Sequence, residues 1–403
     1  MMEKLTIGIF TDVFYPMTDG VMMVVDNYAK RLAHDFNVIV FAPRYIGKDF
    51  DDSIFNYKVV RCMSVKVPFI DYSLPIPKMD SKFQKELKKY HLDLVHIHSP
   101  FTIGEAGVKY AKKNNIPVIA TMHSQYKQDF LRAVRSEKLA KTLTNQLIKV
   151  YNKCDECWAV NKEVARIFYE DYGYKTLPKV MNNATEMEPV RDTKKAIELI
   201  NEKHHLKDEK VFIFVGRINN LKNVFFIVDA LKIVHELKPE LKFKMLFIGT
   251  GQDEEELKKL IKKNKLNEYV LMVGKVTDRY LLSCYYTRSD LFLFPSLYDA
   301  SSIVQIEAAS GHTPVLFLKG AATTATVTNN VNGFIEENDR KLYAKRIIDI
   351  LEDKKLYEEV SNNCYRDLYK NWDDTIKEVE KEYLRIIEEK KNDYLEKCKE
   401  IVE

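Results

Sequence analysis

The most constraining feature of this 403-residue sequence is a repeated alternation of short apolar runs with amphipathic helical stretches. Short apolar runs bounded by turn residues are typical of strands buried on both faces, and the intervening stretches have the apolar spacing of helices. The alternation therefore predicts parallel sheets covered by helices on both sides. In the first half the predicted strands are Leu5–Thr11, Asn37–Phe41, Leu92–Ile97, Pro117–Thr121, Cys157–Val160 and Lys179–Met181, and the predicted helices are Val21–His34 and Glu105–Lys113.

The same alternation starts afresh in the second half of the chain. Its predicted strands are Val211–Val215, Phe243–Ile248, Tyr269–Val273, Leu291–Phe294 and Pro314–Leu318, and its predicted helices include Val224–Glu236 and Glu254–Lys263. A chain of this length exceeds one ordinary core, which favours two domains of about 150–200 residues. We therefore predict an α/β protein with two Rossmann-like, doubly wound domains that face a cleft.

The predicted domain boundaries follow changes in composition. The first domain spans residues 1–185 and the second spans 186–371, and a polar, strand-free segment from Asn183 to Glu209 is interpreted as the linker region. Residues 372–403 are charged and helical, with too few apolar positions for a core of their own. They are expected to pack across a domain surface.

Composition excludes several classes of protein. Hydrophobic residues make up 46% and charged residues 30% of the chain, which is typical of a globular protein. The formal net charge of +4 does not support a nucleic-acid partner, for which a concentrated basic stripe is expected. No signal peptide or membrane-spanning run is visible. We therefore expect a cytoplasmic protein, or one that is peripheral on the inner face of the cell membrane.

The cysteines give no sign of a metal or disulfide framework. Cys154 and Cys157 form a C-x-x-C, but no second pair completes a zinc site. Buried, reduced thiols are the favoured interpretation over a redox or metal role.

Two candidate site residues in the first half, a glycine and a histidine, lie in loops that follow predicted strands. Gly20 ends the loop after the first strand, where a missing side chain would let a phosphate approach a helix N-terminus, although a simple turn glycine is the alternative. His123 follows the strand Pro117–Thr121 and is expected to face the cleft, where it can hydrogen-bond a substrate hydroxyl or transfer a proton. His96 and His98 alternate with apolar residues and are interpreted as structural histidines.

The second half carries cations and carboxylates at matching places. Arg217 and Lys222, five residues apart after the strand Val211–Val215, can clamp a diphosphate and stabilise its departure, although two solvated surface cations are the commoner explanation. Asp299 and Glu307 bracket seven residues after the strand Leu291–Phe294. Carboxylates at the mouth of a strand–loop–helix unit are well placed to bind the vicinal hydroxyls of a ribose or a hexose.

Basic residues also cluster in the helical segment Tyr126–Tyr151. A solvated helix face is one interpretation, and a face on an anionic membrane surface is the other. Phe69, Ile70, Tyr72 and Leu74 are candidates for apolar anchoring nearby. The cations are Lys127, Arg132, Arg135, Lys138, Lys141 and Lys149.

The order and spacing of these motifs resemble the retaining GT-B glycosyltransferases of family four, over nearly the whole chain. The resemblance rests on the Asp299/Glu307 pair, the Arg217/Lys222 clamp, His123 and the Gly20 loop. It implies that residues 1–185 hold the acceptor and that residues 186–371 hold the nucleotide sugar.

The resemblance also implies roles for single residues. Glu307 would bind the ribose hydroxyls, Asp299 and His123 the donor sugar, and Arg217 with Lys222 the diphosphate. Backbone at Ser302 and Ile303 would approach the donor, and the region of Lys275 would lie beside the base. The implied reaction moves a hexose from a UDP-sugar to a lipid or glycan hydroxyl, with retention of configuration and without a metal or other cofactor. The favoured acceptor is a diacylglycerol or glycolipid.

Three positions depart from the family pattern and keep other functions open. Asp299 stands where glutamate is usual, Ser301-Ser302 replaces a common Phe-Gly, and the loop from Gly320 to Asn330 lacks an acidic residue. The alternatives are a transferase acting on a cell-wall or capsule polysaccharide intermediate, and a catalytically inactive homologue that serves as a partner subunit. A nucleotide-sugar epimerase is a third, which would need more acid–base groups at the sugar.

Overall fold

A computed structural model describes residues 4–17, 19–66 and 73–402, which fall into two compact units. The first unit joins the chain up to Asn183 with the chain from Trp372 onward, and the second comprises Ala184–Asn371. The predicted fold class is confirmed, because each unit is built on a parallel α/β sheet.

The first unit contains a seven-stranded parallel sheet and a short antiparallel pair. The central strands of this sheet are almost entirely buried, as expected where helices cover both faces. The strands are β1 (Thr6–Phe10), β2 (Asn37–Pro43), β3 (Lys58–Cys62), β4 (Ser64–Lys66), β5 (Ser73–Pro75), β6 (Leu94–Ile97), β7 (Val118–Met122), β8 (Glu156–Ala159) and β9 (Lys179–Val180). The helices are α1 (Gly20–Leu32), α2 (Ser81–Lys89), α3 (Thr102–Asn114), α4 (Tyr126–Val134), α5 (Glu137–Tyr151) and α6 (Lys162–Arg166).

The strand order of this sheet is β3-β2-β1-β6-β7-β8-β9. The chain first builds outward from β1 to β3 and then returns to add β6 on the other side of β1. The order therefore reverses between β1 and β6, and in such sheets ligands bind beyond the carboxyl ends of the strands at this reversal.

The second unit contains a six-stranded parallel sheet. Its strands are β10 (Lys210–Val215), β11 (Phe243–Ile248), β12 (Val270–Gly274), β13 (Leu291–Phe294), β14 (Val315–Leu318) and β15 (Phe334–Glu336), in the order β12-β11-β10-β13-β14-β15. The reversal lies between β10 and β13. The helices are α7 (Thr193–His204), α8 (Val224–Leu237), α9 (Glu254–Lys263), α10 (Arg279–Arg288), α11 (Ile303–Ser310), α12 (Arg340–Glu352) and α13 (Lys354–Leu368).

The interpretation of Asn183–Glu209 as a linker is wrong for most of that segment. Helix α7 lies within it and packs on α10, and its residues Ala196 and Ile200 are fully buried in the core of the second unit. The apolar positions of α7 are few, which is why composition alone makes this segment look like a linker.

The chain ends in the long helix α14 (Trp372–Val402), which belongs to the first unit. One face of α14 is apolar at helical spacing, and its Trp372 and Tyr383 are among the largest fully buried side chains of the protein. The Trp372 ring meets Tyr28 edge-on, and the Tyr383 ring stacks on Trp158 with 5.9 Å between centroids. The helix therefore completes the core of the first unit rather than only covering its surface.

Candidate functional site

The loops after β10 and β13 meet at the strand reversal of the second unit. The Asn223 side-chain amide donates to the carbonyl of Pro295 at 3.1 Å, and the Ser296 hydroxyl donates to the carbonyl of Leu221 at 3.3 Å. These contacts fix the two loops against each other. They bring together residues that are more than seventy positions apart in the sequence.

Lys222 and Asp299 lie on these two loops and form an ion pair. Lys222 ends a single 3₁₀ turn that Asn219 caps, and its ammonium group meets Oδ1 of Asp299. The same ammonium lies 5.7 Å from the centre of the Phe294 ring. The other oxygen of Asp299, Oδ2, is buried and accepts no hydrogen bond from the part of the chain that the structure describes. Asp299 therefore has an acceptor left over for a ligand.

Arg217 lies on the same loop as Lys222 but in a different setting. Its side chain is exposed and makes no ion pair or hydrogen bond with residues 4–17, 19–66 or 73–402. The structure therefore leaves the guanidinium free, whereas the predicted partner cation, Lys222, is held by a carboxylate. The sequence motif gives no indication of that difference.

Glu307 lies in the second turn of α11 and is 3% exposed. Its Oε1 accepts from Arg279 at 3.0 Å and its Oε2 accepts from the hydroxyl of Tyr286 at 3.3 Å. Burial raises the pKa of the Glu307 carboxyl, and the adjacent Arg279 guanidinium acts in the opposite direction. A second carboxylate, that of Glu186, lies 3.8 Å from Arg279.

The sequence does not predict Arg279 and Tyr286 as residues of the site. They stand seven residues apart on α10, so they project from the same face of the helix. That spacing is a signal that the sequence does contain, but only the structure shows that Glu307 lies opposite this face.

The remaining predicted residues of the second unit line the same sheet edge. Ser302 caps α11, because its hydroxyl accepts from the backbone N–H of Gln305 at 3.2 Å, and Ile303 is the first residue of that helix. Lys275 is exposed and directly follows β12. In the described part of the chain, no hydrogen bond or ion pair joins the Lys275 side chain to the other predicted residues.

Two glycines that the sequence analysis does not single out shape this edge. Gly249 has φ of +133°, and a Cβ there would lie 1.9 Å from the carbonyl oxygen of Gly216. Gly251 is equally close to the backbone of Ile218. Only glycine permits the loop after β11 to pass against the loop that carries Arg217 and Lys222.

Unpartnered polar atoms also collect around α11. The side-chain amide nitrogen of Gln305 and the hydroxyl of Thr323 are buried without a hydrogen-bond partner in the residues described. Thr326, in the 3₁₀ turn Ala322–Thr326, donates to Oε1 of Gln305 at 3.2 Å. The loop that lacks the usual acidic residue therefore packs on the helix that carries Glu307.

Asp12 holds together the loops at the strand reversal of the first unit. Its carboxylate accepts from the backbone N–H groups of Ile103 at 2.8 Å and Gly104 at 3.3 Å, and from the hydroxyls of Ser99 and Thr102 at 3.1 Å each. These partners lie at and before the N-terminus of α3, where a negative charge is stabilised. The loop after β1 is thereby tied to the loop after β6.

Gly20 is the first residue of α1 and is exposed. A Cβ at this position would meet no heavy atom within 4 Å. The preceding residue, Asp19, caps the helix by accepting from the backbone N–H of Met22 at 2.7 Å. A carboxylate therefore already lies at the helix N-terminus where a phosphate was predicted to approach.

His123 directly follows β7 and is 8% exposed. Its Nε2 lies 3.1 Å from Nδ1 of His98, which follows β6. Burial lowers the pKa of His123 to about 3, so the imidazole is neutral near pH 7. Hydrogen bonding is then the role open to His123 at neutral pH, rather than donation of a proton from an imidazolium.

His96 is a structural histidine, as the alternating pattern predicts. It is fully buried, and its two ring nitrogens lie 2.5 Å from the Tyr383 hydroxyl and 2.7 Å from the Thr121 hydroxyl. Burial lowers the pKa of His96 well below its usual value. His98 is also fully buried, but only one of its nitrogens has a partner.

Cys154 and Cys157 are both buried and neither forms a disulfide. The thiol of Cys157 donates to the carbonyl of Tyr151 at 3.7 Å. Among the described residues, no three histidine, cysteine or acidic side chains gather as a metal-ligand group.

The basic segment Tyr126–Tyr151 forms α4 and α5. On α5, Ala140, Thr144 and Leu147 face the core, and the opposite stripe of exposed residues carries Lys138, Lys141 and Lys149. Leu139 is 46% exposed beside this stripe. Of the predicted apolar anchors, Leu74 is exposed, whereas Phe69, Ile70 and Tyr72 lie outside the described residues.

Two family models match the chain, one for each unit. The model of the Glycosyltransferase Family 4 matches residues 18–188, and that of the glycosyl transferases group 1 matches residues 196–367. The chain belongs to the GT-B glycosyltransferases. The family resemblance that rests on the Asp299/Glu307 pair and its accompanying motifs is therefore confirmed.

The curated relatives of this glycosyltransferase include glycolipid synthases. It is 26% identical over 376 residues to the alpha-monoglucosyldiacylglycerol synthase of Acholeplasma laidlawii, covering 89% of this chain and 91% of the relative. It is 24% identical over 320 residues to the enzyme of the same name from Streptococcus pneumoniae, covering 77% and 70%. A GDP-mannose-dependent alpha-mannosyltransferase of Corynebacterium glutamicum is 22% identical and covers 83% of this chain and 77% of the relative.

Solved structures share the fold at low identity. HepE of Anabaena, solved in complex with UDP, superposes with a TM-score of 0.74 at 15% identity, over 94% of this chain and 98% of HepE. The sucrose-phosphate synthase of Thermosynechococcus elongatus gives a TM-score of 0.76 at 18% identity, over 95% and 99%. In this glycosyltransferase, no helix among the residues described is both long and apolar enough to span a bilayer.

Proposed function

We propose that this glycosyltransferase moves a hexose from a UDP-sugar to a hydroxyl of a diacylglycerol or glycolipid, with retention at the anomeric carbon and without a metal ion. The observation that carries the proposal is the Lys222–Asp299 pair at the strand reversal of the second unit, on the same sheet edge as the buried Glu307. Ligands in such folds bind at this edge. The similarity to two alpha-monoglucosyldiacylglycerol synthases supports the glucosyl donor and the lipid acceptor.

The charges of the site give each residue a role. The ribose hydroxyls of the nucleotide donate to Glu307, whose position Arg279 and Tyr286 fix. The diphosphate draws the Lys222 ammonium away from Asp299 and also engages the free guanidinium of Arg217. These two cations then stabilise the charge that develops on the departing UDP, which is the task that a metal ion performs in other transferases.

Asp299 binds the donor sugar in this proposal. When Lys222 turns to the diphosphate, both carboxylate oxygens can accept from hydroxyls of the hexose, and Oδ2 is already without a partner. Asp299 also has one methylene less than the glutamate that is usual in the family, so the sugar must approach closer to the loop after β13. We therefore expect Asp299 to set the donor preference.

The acceptor and donor are tested together. The purified protein is incubated with radiolabelled UDP-glucose and diacylglycerol in mixed micelles, with and without EDTA, and the lipid product is isolated for NMR of the anomeric proton. The proposal predicts an α-linked glucolipid in equal amounts under both conditions. A β-linked product would contradict the proposed retention of configuration. Loss of activity with EDTA would contradict transfer without a metal ion.

Parallel incubations separate the competing functions. Transfer from GDP-mannose instead of UDP-glucose would replace the proposed donor, and transfer only to a polyprenol-linked glycan would replace the lipid acceptor. A protein that binds UDP but transfers nothing to any acceptor would be a catalytically inactive partner subunit.

We also propose that the stripe formed by Lys138, Lys141 and Lys149 lies on an anionic membrane surface, with Leu139 inserted at its edge. Each lysine near such a surface contributes about 1 kcal/mol. Changing Lys138 and Lys141 to glutamate is therefore expected to weaken binding to phosphatidylglycerol vesicles at least about thirtyfold, since two attractive charges are lost and two repulsive ones added.

The matched control exchanges Lys262 and Lys263, two exposed lysines of α9 in the second unit, for glutamate. It makes the same change in net charge away from α5. Equal loss of vesicle binding in both variants would show that only net charge matters and would contradict a specific membrane face.

A further inference from the structure

His123 offers a ligand only one of its two ring nitrogens. Nε2 faces Nδ1 of His98 at 3.1 Å, within hydrogen-bond distance. Nδ1 has no protein partner in the described ranges and is not among the fully buried unpartnered atoms, so it retains access to solvent. Any hydrogen bond between the His123 ring and a substrate must therefore be made through Nδ1.

The hydrogen bond between the two imidazoles contains a single proton, which belongs to one of the two rings. Burial lowers the pKa of both histidines, that of His98 well below its usual value, so each ring is neutral and carries one N–H. In a hydrogen bond between two neutral imidazoles, one nitrogen donates and the other accepts. The proton on His98 therefore decides which nitrogen of His123 carries a proton.

The proton of His98 can lie on Nδ1 or on Nε2, and the surroundings of Nε2 decide between these two tautomers. Nε2 of His98 is buried and has no hydrogen-bond partner among the residues described. If His98 carried its proton there, a buried N–H donor would be left without an acceptor, and orphaned buried N–H groups are rare. If the proton is on Nδ1 of His98, this N–H has an acceptor in Nε2 of His123.

We propose that His98 is a positioning residue for sugar transfer, which donates from Nδ1 to Nε2 of His123 and so makes the accessible Nδ1–H of His123 a hydrogen-bond donor to the bound substrate. This inference rests on the proposed function only for the identity of the ligand, a sugar hydroxyl oxygen or another neutral acceptor. The proton arrangement stands on the geometry of the two rings.

The surroundings of His98 keep its ring from turning. The Tyr28 ring meets it edge-on with 5.2 Å between centroids, and the His96 ring lies 4.1 Å away. His96 is in turn fixed by Tyr383 of α14 and by Thr121. The row of histidines is thus anchored at its buried end and presents one defined donor at its accessible end.

The first test reads the protons directly. Long-range ¹H–¹⁵N correlation spectra of the full-length protein labelled at its 9 histidines report which nitrogen of each ring is protonated, and a His123→Gln variant assigns the signal. The expected result at pH 7 is a protonated Nδ1 and a bare Nε2 on His123. A protonated Nε2 would overturn the proposal.

The second test removes the donor. His98→Leu is expected to leave His123 as a mixture of tautomers and to lower kcat/KM for sugar transfer about tenfold or more, the lower end of what loss of a supporting contact costs at ligating histidines. The UDP affinity should not change, because the nucleotide contacts lie on the second unit. His98→Asn keeps a donor near the position of Nδ1 and is expected to restore both the single tautomer and most of the activity.

A matched control perturbs the same buried row without touching the His98–His123 contact. Tyr383→Phe removes the hydroxyl that meets His96 and is expected to lower the melting temperature but to preserve the His123 tautomer and the turnover. Equal changes of tautomer and turnover in Tyr383→Phe and His98→Leu would reduce His98 to a stability role. If the wild-type protein shows the expected tautomer but transfers no sugar from any donor, the proposed function fails, whereas the proton arrangement of the His98–His123 pair stands.

Discussion

The Glu307–Arg279 pair gives a prediction whose size follows from its burial. The Glu307 side chain is 4% exposed and that of Arg279 is 39% exposed. Among the described residues, Arg279→Met therefore leaves a nearly buried carboxylate with only the Tyr286 hydroxyl as partner. Breaking a fully buried pair costs about 3–5 kcal/mol. Because Arg279 is partly solvated, we expect a smaller loss in the free energy of unfolding, about 1.5–3 kcal/mol, which is the range for a hydrogen bond to a charged group.

The same change should make nucleotide binding depend on pH. Burial already raises the pKa of Glu307 and Arg279 opposes it, so without the guanidinium this pKa rises further. A protonated carboxyl accepts less well from ribose hydroxyls. At pH values above the pKa its population grows about tenfold for each unit by which the pH falls, until the neutral form dominates below the pKa. The affinity of Arg279→Met for UDP should therefore fall between pH 8 and pH 6 more steeply than that of the wild type.

Calorimetric titration with UDP at pH 6, 7 and 8 measures this difference. Arg279→Lys keeps the charge and serves as the control, and Glu307→Gln removes the titrating group. If Arg279 acts through Glu307, the double variant Arg279→Met/Glu307→Gln loses no more affinity than Glu307→Gln alone. Additive losses to within about 0.5 kcal/mol, or a flat pH profile for Arg279→Met, would refute the reasoning.

Three further predictions concern other contacts of the two units. Asp299→Asn breaks the pair with Lys222, so UDP should bind several-fold more tightly, as expected for a part-buried pair worth about 1 kcal/mol, while sugar transfer falls; weaker UDP binding would contradict this. Asp12→Asn puts a donor where four donors converge and should lower the free energy of unfolding by about 1–3 kcal/mol, measured by urea titration; an unchanged midpoint would argue against that network. The buried histidines of the first unit have lowered pKa values, so the unfolded state binds protons first, and stability should fall as the pH drops below about 6.5. Melting followed by the fluorescence of Trp158 and Trp372, the chain's 2 tryptophans, reports on the first unit, and a constant melting temperature from pH 7 to pH 5 would contradict this sign.

Most strands of both sheets can be predicted from the sequence, because a strand that is buried on both faces consists of an uninterrupted run of apolar residues. Phe243–Ile248 and Leu291–Phe294 are found at the predicted residues. The part of the first unit between Pro43 and Leu92 was not predicted, since its strands β3 to β5 and helix α2 lie toward the sheet edge and mix polar with apolar residues. Short edge elements depend on their neighbours for stability and leave little periodic signal.

The site was predictable only to the level of which loops carry it. Strand ends locate Lys222 and Asp299 at the edge of the second sheet and His123 at the edge of the first, because a parallel sheet brings the carboxyl ends of its strands to one edge. The pairing of Lys222 with Asp299 depends on loop conformations that no spacing encodes. The Arg279–Glu307 contact likewise joins two helices whose relative rotation is set by core packing.

The return of α14 to the first unit has a consequence for how the protein is made. All strands of the second unit lie within Ala184–Asn371, so this unit can complete its core as soon as that stretch has left the ribosome. The first unit cannot, because Tyr383, which holds His96, and Trp372, which packs on Tyr28, are synthesised after it. The usual order, in which the N-terminal domain folds first, is thereby inverted. A nascent chain that stops before α14 exposes the cavity where these two rings belong, which makes the first unit dependent on a helix that is translated after the whole second unit.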